Sequence, residues 1–376
     1  MKGESHYEVA IIGAGPAGSS CATMLARAGV RVLLLDKSRF PREKICGDCI
    51  NPKAWSLFRI LGVEDKIHAL EIPPVTGVRV HDSFHSTLEV KIPNLAVPFF
   101  AIGRREMDAL LVNHAAEHGV QVQQGVKIKS IIWDRKWVIA SSAGRTTAEY
   151  LVGADGRNSF VARLLGAKFL CSGRAGDRVG LQWHASYQRQ IATSVEMFLF
   201  ESGYCGVVNL DGGRSNVALV TGTDRVTSLR RDFDGFLERT IWTSRAARKR
   251  LDSLDPSGAI AAAVPVSPMT AMINHPRAFL AGDARQTVEP FTGEGVYFAL
   301  QDGIETARRL AFRLGKKPML PLLSKRKPML ANRISSSILC RPALANTLVA
   351  AGVRFPGLVP RAFRAIFPRV SSNRMS

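Results

Sequence analysis

A chain of 376 residues exceeds what one small core organises, and its 46% apolar and 22% charged residues exclude wholesale disorder. No apolar run approaches the ~20 residues of a membrane-spanning helix, and the first residues lack the basic start and apolar core of a secretory leader, so a cytoplasmic protein is expected. The net charge of +20 is uneven, because Thr306 to Ser376 holds fifteen Lys and Arg and no Asp or Glu.

Glu8–Ile12 reads as a short apolar strand running into Gly13-Ala14-Gly15-Pro16-Ala17-Gly18. A helix follows, since Ala17, Cys21, Leu25 and Ala28 recur at three- and four-residue spacing until Gly29 ends it. Val30–Leu35 is a second apolar strand closing on Asp36. Strand, glycine turn, helix, strand and terminal acid stand in the order of a dinucleotide-binding βαβ unit. Gly13 permits the tight turn, Gly15 admits a pyrophosphate against the backbone, and Gly18 lets the helix pack close. Pro16 and Ala17 open that helix, whose first N–H groups and positive dipole end suit phosphate. Asp36, with Lys37 beside it, is placed to accept hydrogen bonds from a ribose diol.

Further along, Glu106–His118 reads as a helix, Gly119–Gln123 and Val126–Ile132 as strands, and Tyr150–Val152 as a strand leading into Gly153-Ala154-Asp155-Gly156-Arg157. From about 168 to 267 the pattern changes. Val179–Tyr187, Ser194–Phe200, Cys205–Leu210 and Ser215–Thr221 alternate as strands of a mostly antiparallel sheet, followed by a polar helix over Ser228–Leu251. Ala278–Ala281 is again a buried strand, ending in Gly282-Asp283, and Gly293–Leu314 is a long helix. Beyond Gly315, basic clusters and prolines flank the apolar pieces Leu344–Val353 and Phe363–Phe367, too short to span a bilayer but of the length that lies in its interface.

Three segments together resemble the para-hydroxybenzoate-hydroxylase-like flavoproteins, and most closely their geranylgeranyl reductase branch. The first is the glycine fingerprint followed by Phe40-Pro41-Arg42-Glu43-Lys44-Ile45-Cys46-Gly47-Asp48. The second is Gly153-Ala154-Asp155-Gly156-Arg157-Asn158-Ser159. The third is Gly282-Asp283-Ala284 with Pro290-Phe291-Thr292-Gly293-Glu294-Gly295. Arg104, Met107 and Asp108 look like that family's helix start. The resemblance runs in order from residue 5 to about 315 and is weak over 168–267.

It implies an α/β fold: a Rossmann-like FAD-binding domain with an inserted, mostly antiparallel substrate domain. The expected division is 1–75, 100–167 and 268–315 for FAD, 76–99 and 168–267 for substrate, and 316–376 as a basic C-terminal region. The resemblance also implies site roles. Gly282 and Asp283 would bind ribityl or ribose hydroxyls, and Pro290, Gly293, Glu294 and Gly295 would bring backbone N–H groups to the flavin's pyrimidine edge. Asp155 and Gly156 would lie near the pyrophosphate, Arg42 and Arg104 on phosphate or adenosine, and Cys46 and Gly47 beside the isoalloxazine. With no second GxGxxG, NAD(P)H is expected to dock transiently as reductant, unless a redox partner protein supplies electrons.

Cys46-Gly47-Asp48-Cys49 admits three readings: a pocket element, a redox dithiol, or incidental buried thiols. His114 and His118 stand four apart on a helix and are read as a solvated face, and no metal site is expected. Gly203–Leu210 lacks the Trp and Phe-Pro of the branch's substrate motif, and Trp133 and Trp137 lack the spacing of the flavin halogenase mark, so halogenation is not expected.

The expected activity is reduction of a carbon–carbon double bond in an isoprenoid or other lipid-like substrate, with Cys46 and Tyr204 as candidate proton donors. The alternative is a single-component monooxygenase hydroxylating an aromatic or quinone precursor. A third reading, from another class, is a basic membrane- or nucleic-acid-binding protein with a vestigial flavin site. The tail's cations are not interleaved with stacking aromatics, so an anionic membrane surface, held peripherally, is expected rather than nucleic acid.

Overall fold

The computed structural model describes residues 5–46, 48–70, 72, 74–84, 86–91, 99–171, 178–187, 194–201, 203–210, 213–225, 231–241, 245–251, 254–264, 266, 268–290, 293–317, 338 and 342–358. Gly47, Phe291, Thr292, the piece Phe363–Phe367 and most of the basic tail lie outside these residues.

The chain opens on β1 (Ser5–Ile12), α1 (Pro16–Arg27) and β2 (Val32–Asp36). It goes on through β3 (Cys49–Ile50), α2 (Ala54–Leu61), α3 (Glu64–His68), β4 (Pro74–Val75), β5 (Gly77–His81), β6 (Thr87–Lys91), β7 (Phe99–Ala101) and α4 (Arg104–Glu117). Next come β8 (Gln121–Gln124), β9 (Ile128–Asp134), β10 (Lys136–Ser141), β11 (Gly144–Gly153), α5 (Phe160–Leu164) and β12 (Lys168–Cys171). The strands β13 (Arg178–Tyr187), β14 (Ser194–Phe200), β15 (Gly203–Asn209) and β16 (Arg214–Gly222) follow. After α6 (Phe233–Thr240), α7 (Arg245–Leu251) and β17 (Leu254–Ala263), the chain returns through β18 (Met269–Met272) and β19 (Ala278–Leu280) to α8 (Glu294–Arg313) and α9 (Pro342–Arg354).

The first sheet runs β8-β2-β1-β11-β10-β9, with β19 also on β11. Its nucleotide-type strands β8, β2, β1, β11 and β19 are parallel, while β10 and β9 add antiparallel. Val32 to Leu35 are all buried, as a strand covered on both faces requires. Each such side chain contributes about 1.5–3 kcal/mol. On one face α1, α4 and α8 close the core through Ile11, Leu25, Met107, Leu300 and Ile304. A side chain at Gly303 would begin 2.3 Å from the Ala17 carbonyl oxygen, so α8 lies on α1 with its backbone almost in contact.

The second sheet runs β17-β13-β16-β15-β14-β5-β6 and is antiparallel except where β14 meets β5. The strands from 77–91 therefore join those from 178–263 in one sheet. Cross-strand neighbours share a face. The register puts Gly180, Val220, Tyr204 and Leu199 in one row, Gln182, Ala218, Gly206 and Met197 in the next, and His184, Asn216 and Val208 in a third. That face turns toward the first domain, because Gln182 and Asn216 bond to Cys46 and Tyr204 bonds to Glu289. Packed by Phe236 and Leu237 of α6, the opposite face holds Leu181, Trp183, Val207 and Leu219.

Two expectations change. Among the described residues, the single helix expected over 228–251 is broken at Asp232 and Ile241, and α6 starts at Phe233 because Asp232 Oδ1 accepts the Gly235 N–H at 2.9 Å. Residues 226–230 and 242–244 lie outside the described residues. The β9–β10 hairpin was hidden by its charged turn Asp134-Arg135-Lys136, where Arg135 takes φ +56°.

Candidate functional site

At the end of β1 the chain turns through Gly13, φ +103°, where a Cβ would fall 2.4 Å from the Ala154 carbonyl oxygen. Gly18 is equally obligatory, since its side chain would begin within the Gly13 carbonyl oxygen's radius. Helix α1 therefore starts hard against the strand, with Pro16 in its first turn and no side chain capping its N-terminus. Asp36, 8% exposed at the end of β2, accepts the Ala14 and Ser38 N–H groups at 2.8 Å each. One oxygen braces the glycine turn, and each retains a lone pair for a ribose hydroxyl.

Two guanidinium groups stand over this turn. Fully buried Asp108 accepts Arg104 through two bonds, 2.8 and 2.7 Å, and pairs with Arg42 at 3.2 Å. A side chain at Gly15 would begin 3.8 Å from Arg42 Nη2 and 3.9 Å from Arg104 Nη2. Arg42 Nη1 is buried without a hydrogen-bond partner among the described residues. Lys44 Nζ stands 3.8 Å from the point where a Gly156 side chain would begin. Burial, then Arg104 and Arg42, pushes Lys44 below its ordinary range, while Asp283 pulls it back and Lys37 adds to the depression. An uncapped helix N-terminus, a glycine with no side chain and an unsatisfied guanidinium donor fit a pyrophosphate.

The far end of the site is the N-terminus of α8. Gly293 takes φ +63°, and a Cβ there would sit 2.8 Å from the Cys49 carbonyl oxygen, so the 46–50 loop lies on this helix end. Open space surrounds the Cβ position of Gly295, room for a planar ring against the first N–H groups of α8. Beside it, Asn51 is 2% exposed with an unpartnered Nδ2 among the described residues. Gly282, φ +62°, packs on Ala17 and donates its N–H to Asp302 at 3.2 Å, which orients the partly exposed Asp283 in the turn beyond. The turn, Asp36, the two arginines, Lys44, Asp283 and the α8 end are the residues that could hold a dinucleotide, and the space they border is called the groove. Exposed Pro290 stands at its rim, and buried Glu294 lies beside Lys53 and Tyr297.

Some expected roles change. The Asp155 carboxylate is engaged in capping α5, accepting Ser159 Oγ at 2.5 Å and the Phe160 and Val161 N–H groups at 2.7 and 3.1 Å, while its Cα lies 2.7 Å from the point where a Gly13 side chain would begin. Tyr204 is ill suited to donate a proton to substrate. Its hydroxyl donates to Glu289 at 2.9 Å, and burial, then the Glu289 charge, drives its pKa well up. Glu289 in turn pairs with Arg178 at 2.8 Å. Cys46 and Cys49 are free thiols pushed up to about 11 and about 12 by burial, the reverse of a reactive pair. They remain as apolar packing beside the groove. Trp133 and Trp137 face each other across β9 and β10 at the sheet's edge.

Sequence reasoning missed the polar residues of the domain seam. The Cys46 N–H donates to Gln182 at 2.9 Å, Asn216 Nδ2 donates to the Cys46 carbonyl at 2.8 Å, and Gln182 Nε2 donates to Asn216 at 2.9 Å. Beneath them lies Asp48, 1% exposed, with His184 Nε2 at 3.8 Å from its Oδ2. Burial raises the Asp48 carboxyl to about 6 against the opposing pull of His184 and Arg104, and Asp48 in turn raises His184. The one sequence signal was their polarity in otherwise apolar alternation.

Comparison with known proteins agrees with this geometry. A family model of the FAD binding domain matches residues 6–320. Menaquinone reductase of Mycolicibacterium smegmatis is 26% identical over 321 residues, 79% of this chain and 74% of that protein. The 1H-pyrrole-2-carbonyl-(peptidyl-carrier protein) brominase of Pseudoalteromonas luteoviolacea is 37% identical over 162 residues, 42% of this chain and 39% of that protein. Among solved structures, the flavin-dependent brominase Bmp2 superposes with a TM-score of 0.76 at 22% identity, covering 96% of this chain and 93% of that one. At such identity the likeness is one of fold.

Replacing Arg104 by Ala removes one charged phosphate donor while Arg42 still pairs with Asp108. FAD affinity, read by quenching of flavin fluorescence on the apoprotein, falls about 10- to 100-fold. An unchanged Kd contradicts the assignment.

Proposed function

The chain belongs to the FAD binding domain family, and on that premise we propose that it reduces a carbon–carbon double bond of an isoprenoid or other lipid-like substrate. Bound FAD supplies the two-electron chemistry, and the protein supplies binding, orientation and exclusion of water. One observation carries the reading. The face of the second sheet that turns toward the FAD domain leaves the small residues Ala218 and Gly206 partly exposed beside Met197, Leu199 and Val220, which α9 covers, and its polar groups are Tyr204, Gln182, His184 and Asn216. Such a surface suits an extended hydrocarbon and offers it few hydrogen bonds. The relative named menaquinone reductase supports the same class, since menaquinone is a lipid with an isoprenoid chain. NAD(P)H is the reductant of this reading and docks transiently.

The oxygen-dependent alternative is favoured by the 162-residue stretch that is 37% identical to the brominase. The two readings part on oxygen. Anaerobic incubation of the FAD-loaded protein with NADPH and a polyprenyl lipid yields, on the reductase reading, a product heavier by two hydrogens at an undiminished rate. Product that forms only with oxygen and carries a new oxygen or halogen atom overturns it.

The substrate class bears on location, and we propose that α9 docks on an anionic membrane surface. Among the described residues, no helix is long and apolar enough to cross a membrane. Helix α9 has apolar residues on two sides. Ala345 and Val349 pack in one cluster with Met197, Leu199 and Val220, and Asn346 Oδ1 accepts the Ser83 N–H at 3.2 Å. Outward, Leu344, Leu348 and Phe355, spaced four and seven residues apart, are 39%, 45% and 59% exposed. The Lys- and Arg-rich sequence around it adds about 1 kcal/mol per cation near anionic headgroups. The protein is expected to float with phosphatidylglycerol vesicles and not with phosphatidylcholine vesicles, and Leu348→Glu with Phe355→Glu to abolish flotation at unchanged FAD content. Equal flotation of the double variant contradicts this docking face.

A further inference from the structure

At the seam between the domains a carboxylate is held where no structural need explains it. Asp48 is 1% exposed, takes the left-handed φ of +52°, and keeps Oδ1 without a hydrogen-bond partner among the described residues. Each of these features destabilises the folded chain. The loop does not need the carboxylate to stay in place. Gln182 and Asn216 clamp Cys46 through its backbone, and the Ile102 N–H donates to the Asp48 carbonyl at 3.0 Å. Among the described residues, Oδ2 accepts a long 3.4 Å bond from Gln182, whose shorter bond goes to Asn216, and meets His184.

Two contacts set the direction of this carboxylate's influence. The following residue, Cys49, lies on Gly293 at the α8 N-terminus, the helix end that fits the flavin. On the other side is His184, in ion-pair contact at 3.8 Å, with its side chain 20% exposed on the sheet face that turns toward the FAD domain. His184 thus joins the buried acid to water at the mouth of the space assigned to substrate.

We propose that His184 is the proton donor of the reaction and that Asp48 is the positioning residue that holds it protonated and aimed. This rests on the reductase reading. Saturation of the double bond adds a hydride to one carbon and a proton to the other, the hydride being drawn through the bound cofactor from the nicotinamide reductant. The proton breaks from a ring nitrogen of His184, whose N–H electron pair stays on the ring, and the π electrons of the alkene form the new C–H bond. The pair passes from carboxylate–imidazolium to carboxylate–imidazole, and water at the exposed edge restores the proton.

The groups facing the pair set its pH response. Asp48 meets Arg104 from α4, Glu43 from the loop after β2, and Cys46 and Cys49 of its own loop; His184 meets Glu43, and Arg214 from β16. Asp48 and Glu43 favour the imidazolium, and burial and Arg214 oppose it, with the balance toward protonation. Since the donor is the imidazolium aimed by a carboxylate, kcat falls as pH rises through the His184 midpoint and falls again as pH drops through that of Asp48, about 6, which gives a bell-shaped profile.

The test is a histidine NMR titration of the FAD-loaded protein without substrate, paired with steady-state kinetics across pH. His184 is expected to titrate above free histidine, and Asp48→Asn to lower its midpoint by about one unit. The same variant is expected to lower kcat about 100-fold with KM little changed, and to move the alkaline limb to lower pH. Asp48→Glu should restore part of kcat and of the midpoint, which a structural role alone would not do. FAD content and Tm of each variant report folding. No turnover of unsaturated lipid by the wild-type protein sinks the reductase reading and this inference with it. Wild-type turnover with an unmoved His184 midpoint, or with kcat of Asp48→Asn unchanged, overturns the pair alone.

Discussion

The groove depends on one buried carboxylate and the two cations it aligns. Asp108, wholly out of water, would be untenable alone, and two guanidinium groups neutralise it. Two arginines against one aspartate leave a positive remainder, directed at Gly15 and the uncapped start of α1. Arg42 is held further by its stacking over Phe40, 4.8 Å from the ring centre. The nearby charge of Lys44 enlarges the remainder. This local field suits the pyrophosphate of FAD.

That half of the molecule was legible in the sequence because its constraints are local. Gly13, Gly15, Gly18 and Asp36 fall within one βαβ unit, and each answers to a backbone approach or a single hydrogen bond. The strand Ser194–Phe200 was read to the residue and Val179–Tyr187 to within one, since short runs rich in β-branched and aromatic residues between turn signals mark strands directly. The start of α4 at Arg104 came from the family resemblance of Arg104, Met107 and Asp108, whereas the helical pattern itself was read only from Glu106.

The seam was not legible, for a physical reason. Asp48 and Gln182 are 134 positions apart, and nothing near either says that they meet. Only the pairing of β13 with β16 brings His184 beside Asn216, and only the docking of that sheet on the 46–50 loop brings both to Asp48. Spacing also misled. Cys46 and Cys49 have the interval of a redox pair, yet burial makes both poor thiolates, and the residue that matters chemically stands between them. Tyr204 had the right chemistry for a proton donor, but its hydroxyl is engaged by Glu289.

The central claim is that the site is built around a pyrophosphate, and it is tested most directly by the thermal stability of the apoprotein with FAD and with riboflavin, which has the same ring and no phosphate. A ligand at about 100 times its Kd stabilises by about 2.7 kcal/mol. The account predicts that FAD raises Tm by several degrees while riboflavin at the same concentration leaves it nearly unmoved. Equal shifts from the two would contradict it, because the ring alone would then carry the binding and the arginines over Gly15 would have no ligand to hold.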